Sequence, residues 1–357
     1  MEKLTTIKLK RVVIKDIKLT TIQIILVLVL IVLLAPVNGF CKDKCVVLVG
    51  GALNSRSSDS VKSILEDKVG DCNVYTLDYI KDLPTADLNS VQFMYFPGGN
   101  YFDIKPPAKA AENIRKAVAG GMGYFGTCGG SLIAVESTPA SSERNQLALF
   151  PGHQVFGVGR GMRKYNFNVK HPVVANSSVA GSITPDFEIN YNGGGSDMQP
   201  SVSGLVNWVV ANDEIRGTPA LTTTIYGKGR VFLSVAHPER SWLPATHPVV
   251  ILAAEWCLGR SEPSENKPPR VMADMPSRGI LNKLLTFSGV RSDDPEGYPI
   301  GFIWDFGDGS APGYRPLERH KYTNNGVYTV TLTVTDGKNE VVSTKEIKII
   351  ANEQATL

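Results

Sequence analysis

Gly123-Tyr124-Phe125-Gly126-Thr127-Cys128-Gly129-Gly130-Ser131-Leu132-Ile133-Ala134-Val135 decides how this chain is read. A short strand, Gly123 to Gly126, runs into a glycine-rich turn, and then comes an apolar stretch from Ser131. A cysteine in a Gly-x-Cys-x-Gly turn between strand and helix sits at a sharp elbow, where the flanking glycines tolerate the tight backbone. The helix start behind it favours a thiolate, and the Gly129 amide can point at an oxyanion.

Outward from the elbow the pattern alternates strand and helix. Cys45 to Gly51, Asn73 to Leu77, Val91 to Phe96 and Gly229 to Ala236 read as strands. Ser57 to Val69, Pro107 to Ala119 and His247 to Leu258 have helical spacing, and Phe156 to Ile225 looks β-rich. Such alternation implies an α/β fold, a parallel sheet with helices on both faces and ligands at the carboxyl ends of the strands.

Two further segments belong with the elbow. Phe96-Pro97-Gly98-Gly99-Asn100 ends the preceding strand, and its exposed glycine amides can complete an oxyanion hole. His237-Pro238-Glu239 comes after the strand from Val231. In an extended segment residues i and i+2 point the same way, so the carboxylate can orient the imidazole. Cys128, His237 and Glu239 are therefore the candidate catalytic residues, with Gly99 and Gly129 as oxyanion donors. Gly98, Asn100, Tyr101, Asn192 and Arg240 are candidate pocket residues from their loop positions; Arg240 suits a substrate carboxylate or a surface ion pair equally.

These motifs resemble those of the class I glutamine amidotransferase-like superfamily. Within it, Pro97-Gly98-Gly99-Asn100-Tyr101, Gly126-Thr127-Cys128-Gly129-Gly130-Ser131 and Asn190-Tyr191-Asn192-Gly193-Gly194-Gly195 are similar to the branch named for the N-terminal domain of biotin-protein ligase. The resemblance covers residues 45–259 and implies a flavodoxin-like sheet with a Cys-His-Glu triad. It does not bring biotin ligation, which would need a further catalytic domain. Glutaminase work for a synthase is also disfavoured, because no synthase domain is present. Hydrolysis of an amide, peptide or ester is the chemistry left, and its small-molecule or peptide substrate is not specified. The rival reading is a non-catalytic surface protein using the same scaffold as a ligand pocket. A third is a pocket whose thiol is oxidised.

The chain has 357 residues, with 37 basic against 34 acidic side chains. Residues 1–18 hold six cations against Glu2 and Asp16, so the remaining 31 basic and 32 acidic groups nearly cancel. No basic stripe is left for nucleic acid. The apolar run Leu19 to Val37, with its uninterrupted heart Ile24 to Ala35, suits a signal peptide or an uncut signal anchor spanning the membrane. Either way, the chain beyond Phe40 is expected to be exported to the cell surface or further. Phe40 before Cys41 argues against a lipoprotein box.

There are five cysteines, at 41, 45, 72, 128 and 257. An odd count leaves at least one thiol unpaired, and one pair among Cys41, Cys45 and Cys72 can bridge. Cys257, on the apolar closing helix, reads as core. Asn176-Ser177-Ser178 is a glycosylation sequon. Gly157 to Arg163 is a glycine-rich basic stretch without the strand-then-helix context of a phosphate loop, and reads as a turn near the pocket rim. His153, His171 and His247 lack ligand spacing and read as structural or exposed, so no metal and no cofactor is expected.

Ser261 to Pro269 is polar and proline-rich, a linker between residues 41–260 and 270–351. Beyond it, Leu284–Gly289, Gly301–Phe306, Val327–Asp336 and Val341–Ile350 are short strands, enough for a small β-sandwich. Ile303-Trp304-Asp305-Phe306-Gly307-Asp308-Gly309, His320-Lys321-Tyr322 and Gly326 to Asp336 resemble a PKD domain, an immunoglobulin-like surface module. Trp304 and Phe306 should face its core and Asp305 the solvent, with His320 and Tyr322 fixing a corner. Asp293, Asp294, Asp305 and Asp308 lack calcium-loop spacing and read as turn formers. The resemblance implies a spacer, or contact with surface proteins or glycans.

Overall fold

The computed structural model describes residues 43–100, 103–137, 147–157, 159–193, 195–202, 204–205 and 207–351. The expected leader at 19–37, Cys41 and Tyr101 lie outside them. No helix among the described residues is long and apolar enough to cross a membrane.

The amino-terminal lobe starts with β1 (Asp43–Val49), α1 (Ser55–Lys68), β2 (Cys72–Asp78), β3 (Phe93–Phe96), α2 (Ala108–Ala119), β4 (Gly123–Thr127) and α3 (Gly129–Ala134). Next come β5 (Val135–Ser137), β6 (Phe150–Phe156), β7 (Arg160–Phe167), α4 (Pro172–Ala175), β8 (Asp186–Asn192), β9 (Gly195–Pro200) and β10 (Val209–Asp213). The lobe closes with β11 (Pro219–Tyr226), β12 (Gly229–Ser234) and α5 (His247–Cys257). Four-residue buried runs such as Phe93–Phe96, apolar on both faces, form the middle of the sheet.

Among the described residues the main sheet has nine strands in the order β2-β1-β3-β4-β12-β11-β10-β7-β8. The five from β2 to β12 are parallel, as the strand–helix alternation predicts. The other four are added antiparallel through β11, β10, β7 and β8. The expected flavodoxin-like parallel sheet is thus found only in its first five strands, and the sheet as a whole is mixed. The physical reason is local. A short turn at Gly227-Lys228 joins β11 to β12 as a hairpin, and a connection that short permits only antiparallel pairing. A smaller sheet, β5-β6-β9, stands beside it.

Cys45 and Cys72 form a disulfide between neighbouring strands β1 and β2. Among the described cysteines, Cys128 and Cys257 are free and buried.

The carboxyl-terminal sandwich comprises β13 (Arg278–Ile280), β14 (Leu285–Ser288), β15 (Gly301–Asp305), β16 (Leu317–His320), β17 (Gly326–Thr335) and β18 (Glu340–Ile350). Its sheets are β13-β18-β17-β15 and β14-β16. Trp304 and Phe306 are buried in its own apolar core, and Asp305 is exposed. Tyr322 Oη donates to Phe306 O at 2.9 Å, while His320 stacks on Phe306 and pairs with Asp308 at 2.8 Å. Asp305 and Asp308 accept backbone N–H groups of Gly307 and Ser310, so they do form turns.

The sandwich is packed against the first lobe rather than hung from it. Tyr298 joins the first lobe's core; its hydroxyl donates to Ser261 O and accepts from Asn176 of the sequon. Ser261 is fully buried, and Glu262 pairs with Arg230 and Lys338. The proline-rich stretch that reads as a linker is therefore also a strap, tied to the first lobe through Arg230 and to the sandwich through Lys338.

Candidate active site

Three loops leave the carboxyl ends of three adjacent parallel strands. Phe96 pairs with Gly126, and Thr127 with Ser234, so the segments after β3, β4 and β12 emerge side by side. Cys128 N–H donates to Ser234 O at 2.8 Å, fixing the elbow to the strand that delivers His237. Cys128 itself holds φ 50° and ψ −113°. A side chain at positive φ costs on the order of 1–3 kcal/mol and persists only where the surroundings impose it.

Glycine makes the approach of these loops feasible. A Cβ on Gly129 would lie 2.5 Å from Ile104 and 3.0 Å from Gly99 O, and one on Gly130 would collide with Phe96 O. The backbones around Gly99 and Gly129, the two expected oxyanion donors, thus lie against one another. The Gly129 N–H is the first of a helix, one of those without an intrahelical acceptor. At Gly98 a methyl would sit 3.0 Å from Cys128 Cβ, 3.5 Å from its Sγ and 3.1 Å from His237 Cε1. Thiol and imidazole therefore flank a single spot that only a hydrogen occupies.

His237 is held through its backbone, whose N–H donates to Asn190 O at 2.8 Å. Its Nδ1 lies 2.7 Å from Glu239 Oε1, the side-by-side placement expected of i and i+2. Pro238 O accepts from Thr246 Oγ1 at 2.7 Å, which fixes the segment between them. Glu239 is fully buried, His237 is 2 % exposed and Cys128 8 %. With Nδ1 taken by Glu239, Nε2 is the nitrogen left for the thiol, and among the described residues it has no other hydrogen-bond partner.

Burial alone would make the imidazole harder to protonate. The Glu239 carboxylate outweighs it, with help from the Cys128 thiol, and pushes His237 up to about 10. For Glu239, burial opposes ionisation, but His237 and the Ser57 hydroxyl hold the carboxyl below its ordinary range.

The pocket candidates separate. Gly98 lies between the Cys128 thiol and the His237 imidazole. Asn100 is exposed and donates to Asp103, and Asn192 is exposed at the end of β8, opposite Arg160. Neither is placed by these contacts at the thiol. Arg240 is half-buried, and its Nε has no hydrogen-bond partner among the described residues. The neighbour of Asn192, Tyr191, is buried; burial first, and Cys128 to a lesser degree, push its phenol up, while Arg163 of the basic stretch lies over its ring at 3.8 Å and opposes this. Tyr95, hydrogen-bonded to Thr127 at 2.7 Å, is fully buried, and burial first, then Glu239 and Cys128, push its phenol up. Sequence reasoning does not find Tyr95, Tyr191 or Ser57; the Asn190-Tyr191-Asn192 motif is the available signal for Tyr191.

No group of three or more His, Cys, Asp or Glu among the described residues is placed to hold a metal. A cavity of about 850 Å³ lies away from the thiol, where Tyr226 and Pro151 meet Tyr314, Arg315 and Arg319 of the sandwich.

Residues 266–351 match the family described as PKD domain. The chain therefore carries a PKD domain. The chain is also similar to a microbial collagenase of Vibrio alginolyticus, 33% identical over 86 residues. That match covers 24% of this chain and 10% of the collagenase. A collagenase ColA of Clostridium perfringens is 34% identical over 89 residues, 25% of this chain and 8% of that protein. The chain thus spans about a tenth of the length of these relatives. Among solved structures, a glutamine amidotransferase is 17% identical with a TM-score of 0.42, covering 59% of this chain and 98% of its own. A ThuA-like protein from Parabacteroides merdae is 15% identical with a TM-score of 0.39, covering 64% and 93%.

Proposed function

We propose that this is an exported cysteine hydrolase, acting on an amide, peptide or ester through Cys128, His237 and Glu239. The observation that carries the reading is the Nδ1–Oε1 pair at 2.7 Å with its imidazole beside the Cys128 thiol across Gly98. A protonated imidazole next to a thiol favours a thiolate–imidazolium pair. Cys128 Sγ attacks the carbonyl carbon, and the amides of Gly99 and Gly129 receive the developing oxyanion. His237 gives its proton to the leaving group, and the C–N or C–O bond breaks to leave a thioester. The neutral imidazole then takes a proton from water, whose oxygen displaces the thiol. Glu239 keeps one face of the ring fixed throughout.

Export is supported by the basic, apolar leader in the sequence and by the Cys45–Cys72 disulfide, a bond kept in oxidising compartments. In this reading residues 41–260 form the hydrolase domain and the PKD domain contacts a surface protein or glycan. The test is turnover of a panel of activated amides and esters by the native protein and by Cys128→Ala. Loss of all turnover in the variant is expected; equal turnover, or none in either, removes the enzyme.

A further inference from the structure

The Glu239 carboxylate has two donors on one oxygen. His237 Nδ1 lies 2.7 Å from Oε1, and Ser57 Oγ donates to the same Oε1 at 2.7 Å, while Oε2 is buried without a hydrogen-bond partner among the described residues. Ser57 is 2 % exposed, so water does not compete for its hydroxyl. Its backbone is equally constrained. Ser57 lies in the first turn of α1, and its N–H donates to the side chain of the cap residue Asn54 at 3.1 Å. Asn54 N–H in turn donates to Gly98 O at 2.8 Å. A neighbour on the same helix, Ser60, donates through Oγ to the Glu239 backbone carbonyl.

These contacts close a ring. The glycine turn between thiol and imidazole holds the helix cap, the cap aims Ser57, Ser57 fixes Glu239, and Glu239 returns to His237. A carboxylate bound through a single oxygen to the imidazole alone would be free to rotate about its last torsion, which is broad and two-fold. The second donor removes that freedom.

We infer that Ser57 is a positioning residue of the site, the hydroxyl that sets the Glu239 carboxylate and through it the imidazole that faces Cys128. This rests on the triad reading above and deepens it. The hydroxyl does not touch substrate and moves no proton in the reaction.

The test measures alkylation of Cys128 by iodoacetamide from pH 5 to 9 in the intact protein, alongside turnover where a substrate has been found. Ser57→Ala should lower the alkylation rate at pH 6 about tenfold, as loss of a hydrogen bond to a buried charge implies, and move the acid limb of the profile. Turnover should fall in kcat with KM held. Ser57→Thr, which keeps the hydroxyl, should restore the profile, and its isostere Ser57→Val should not; this pair decides the matter if Ser57→Ala does not fold. Ser63→Ala, on an exposed position of the same helix, should match the native protein. An unchanged alkylation profile in both Ser57→Ala and Ser57→Val overturns the inference. Failure of the hydrolase reading is seen separately, because Cys128→Ala tests turnover whereas the thiol profile requires none.

Discussion

The two ends of β4 each meet a buried cysteine, and the two thiols have opposite surroundings. At the amino end, Gly123 packs so closely on Cys257 that a Cβ would lie 2.6 Å from the Cys257 side chain. Cys257 Sγ donates to Tyr124 O at 3.3 Å, and burial pushes that thiol well up, only partly opposed by Arg230. At the carboxyl end, Cys128 stands at positive φ beside a histidine that is itself pushed up by a carboxylate. Burial alone therefore does not decide what a cysteine does here. The parallel sheet sends its loops to one end, and only there can an imidazole and a thiol be delivered from neighbouring strands.

The largest effect should be in reactivity. In the native protein iodoacetamide at pH 6 should label Cys128 at least about a hundredfold faster than Cys257, because the thiolate is the nucleophile. Mass spectrometry of the labelled peptides measures both rates at once. Comparable rates would erase the contrast between the two ends and with it the proposed thiolate–imidazolium pair.

A sharper probe changes neither thiol nor imidazole. Gly98→Ala would put a methyl 3.1 Å from His237 Cε1 and 3.0 Å from Cys128 Cβ. Labelling of Cys128 should fall about tenfold or more as the groups are pushed apart, while overpacking costs on the order of 1–3 kcal/mol. Labelling of Cys257 in the unfolded chain should be unaffected. A variant that labels at the native rate would mean that the two groups do not need their present spacing.

Much of this end of the sheet is legible in the sequence, for a physical reason. Cys128 needs glycines at 126, 129 and 130 to let backbones touch, and such a run is visible without a structure. His237 and Glu239 are two apart, and extended backbone alone predicts that they share a side. Ser57 is not legible: serine in a first helical turn is ordinary, and its partner lies 182 residues away. The antiparallel half of the sheet reads only as β-rich, because strand pairing between segments 156–225 is set by contacts across the sheet that no local period encodes. The strap at Ser261–Pro269 reads only as a linker because composition reports stiffness and polarity, not the tyrosine waiting on the far side.

Stability against pH should separate the site from the rest of the fold. His237 is raised above its ordinary 6.5, so its contribution is complete below that value and is lost as pH climbs towards about 10. Glu239 is lowered below 4.5, so its contribution is present above that and is lost as pH falls below it. The native protein should therefore lose Tm on the alkaline side, and His237→Gln should flatten that limb; each kcal/mol corresponds to about 2–4 °C for a domain of this size. An alkaline limb identical in the variant would remove the charged imidazole from the folded state.

The smallest effect belongs to the strap. Tyr298 places one hydroxyl between Ser261 O at 2.9 Å and Asn176 Nδ2 at 2.7 Å, while its ring stacks near Trp256. Tyr298→Phe keeps the ring and removes both hydrogen bonds, so it should cost about 1 kcal/mol for each, and somewhat more where a buried partner is left without a replacement. Chemical denaturation of the whole chain measures this. Because Trp256 lies one residue before Cys257, the variant should ease labelling of Cys257 while leaving Cys128 at its native rate. Loosening at the amino end of β4 that also slowed Cys128 would show that the sandwich braces the reactive end as well, and the two ends of the strand would no longer be independent.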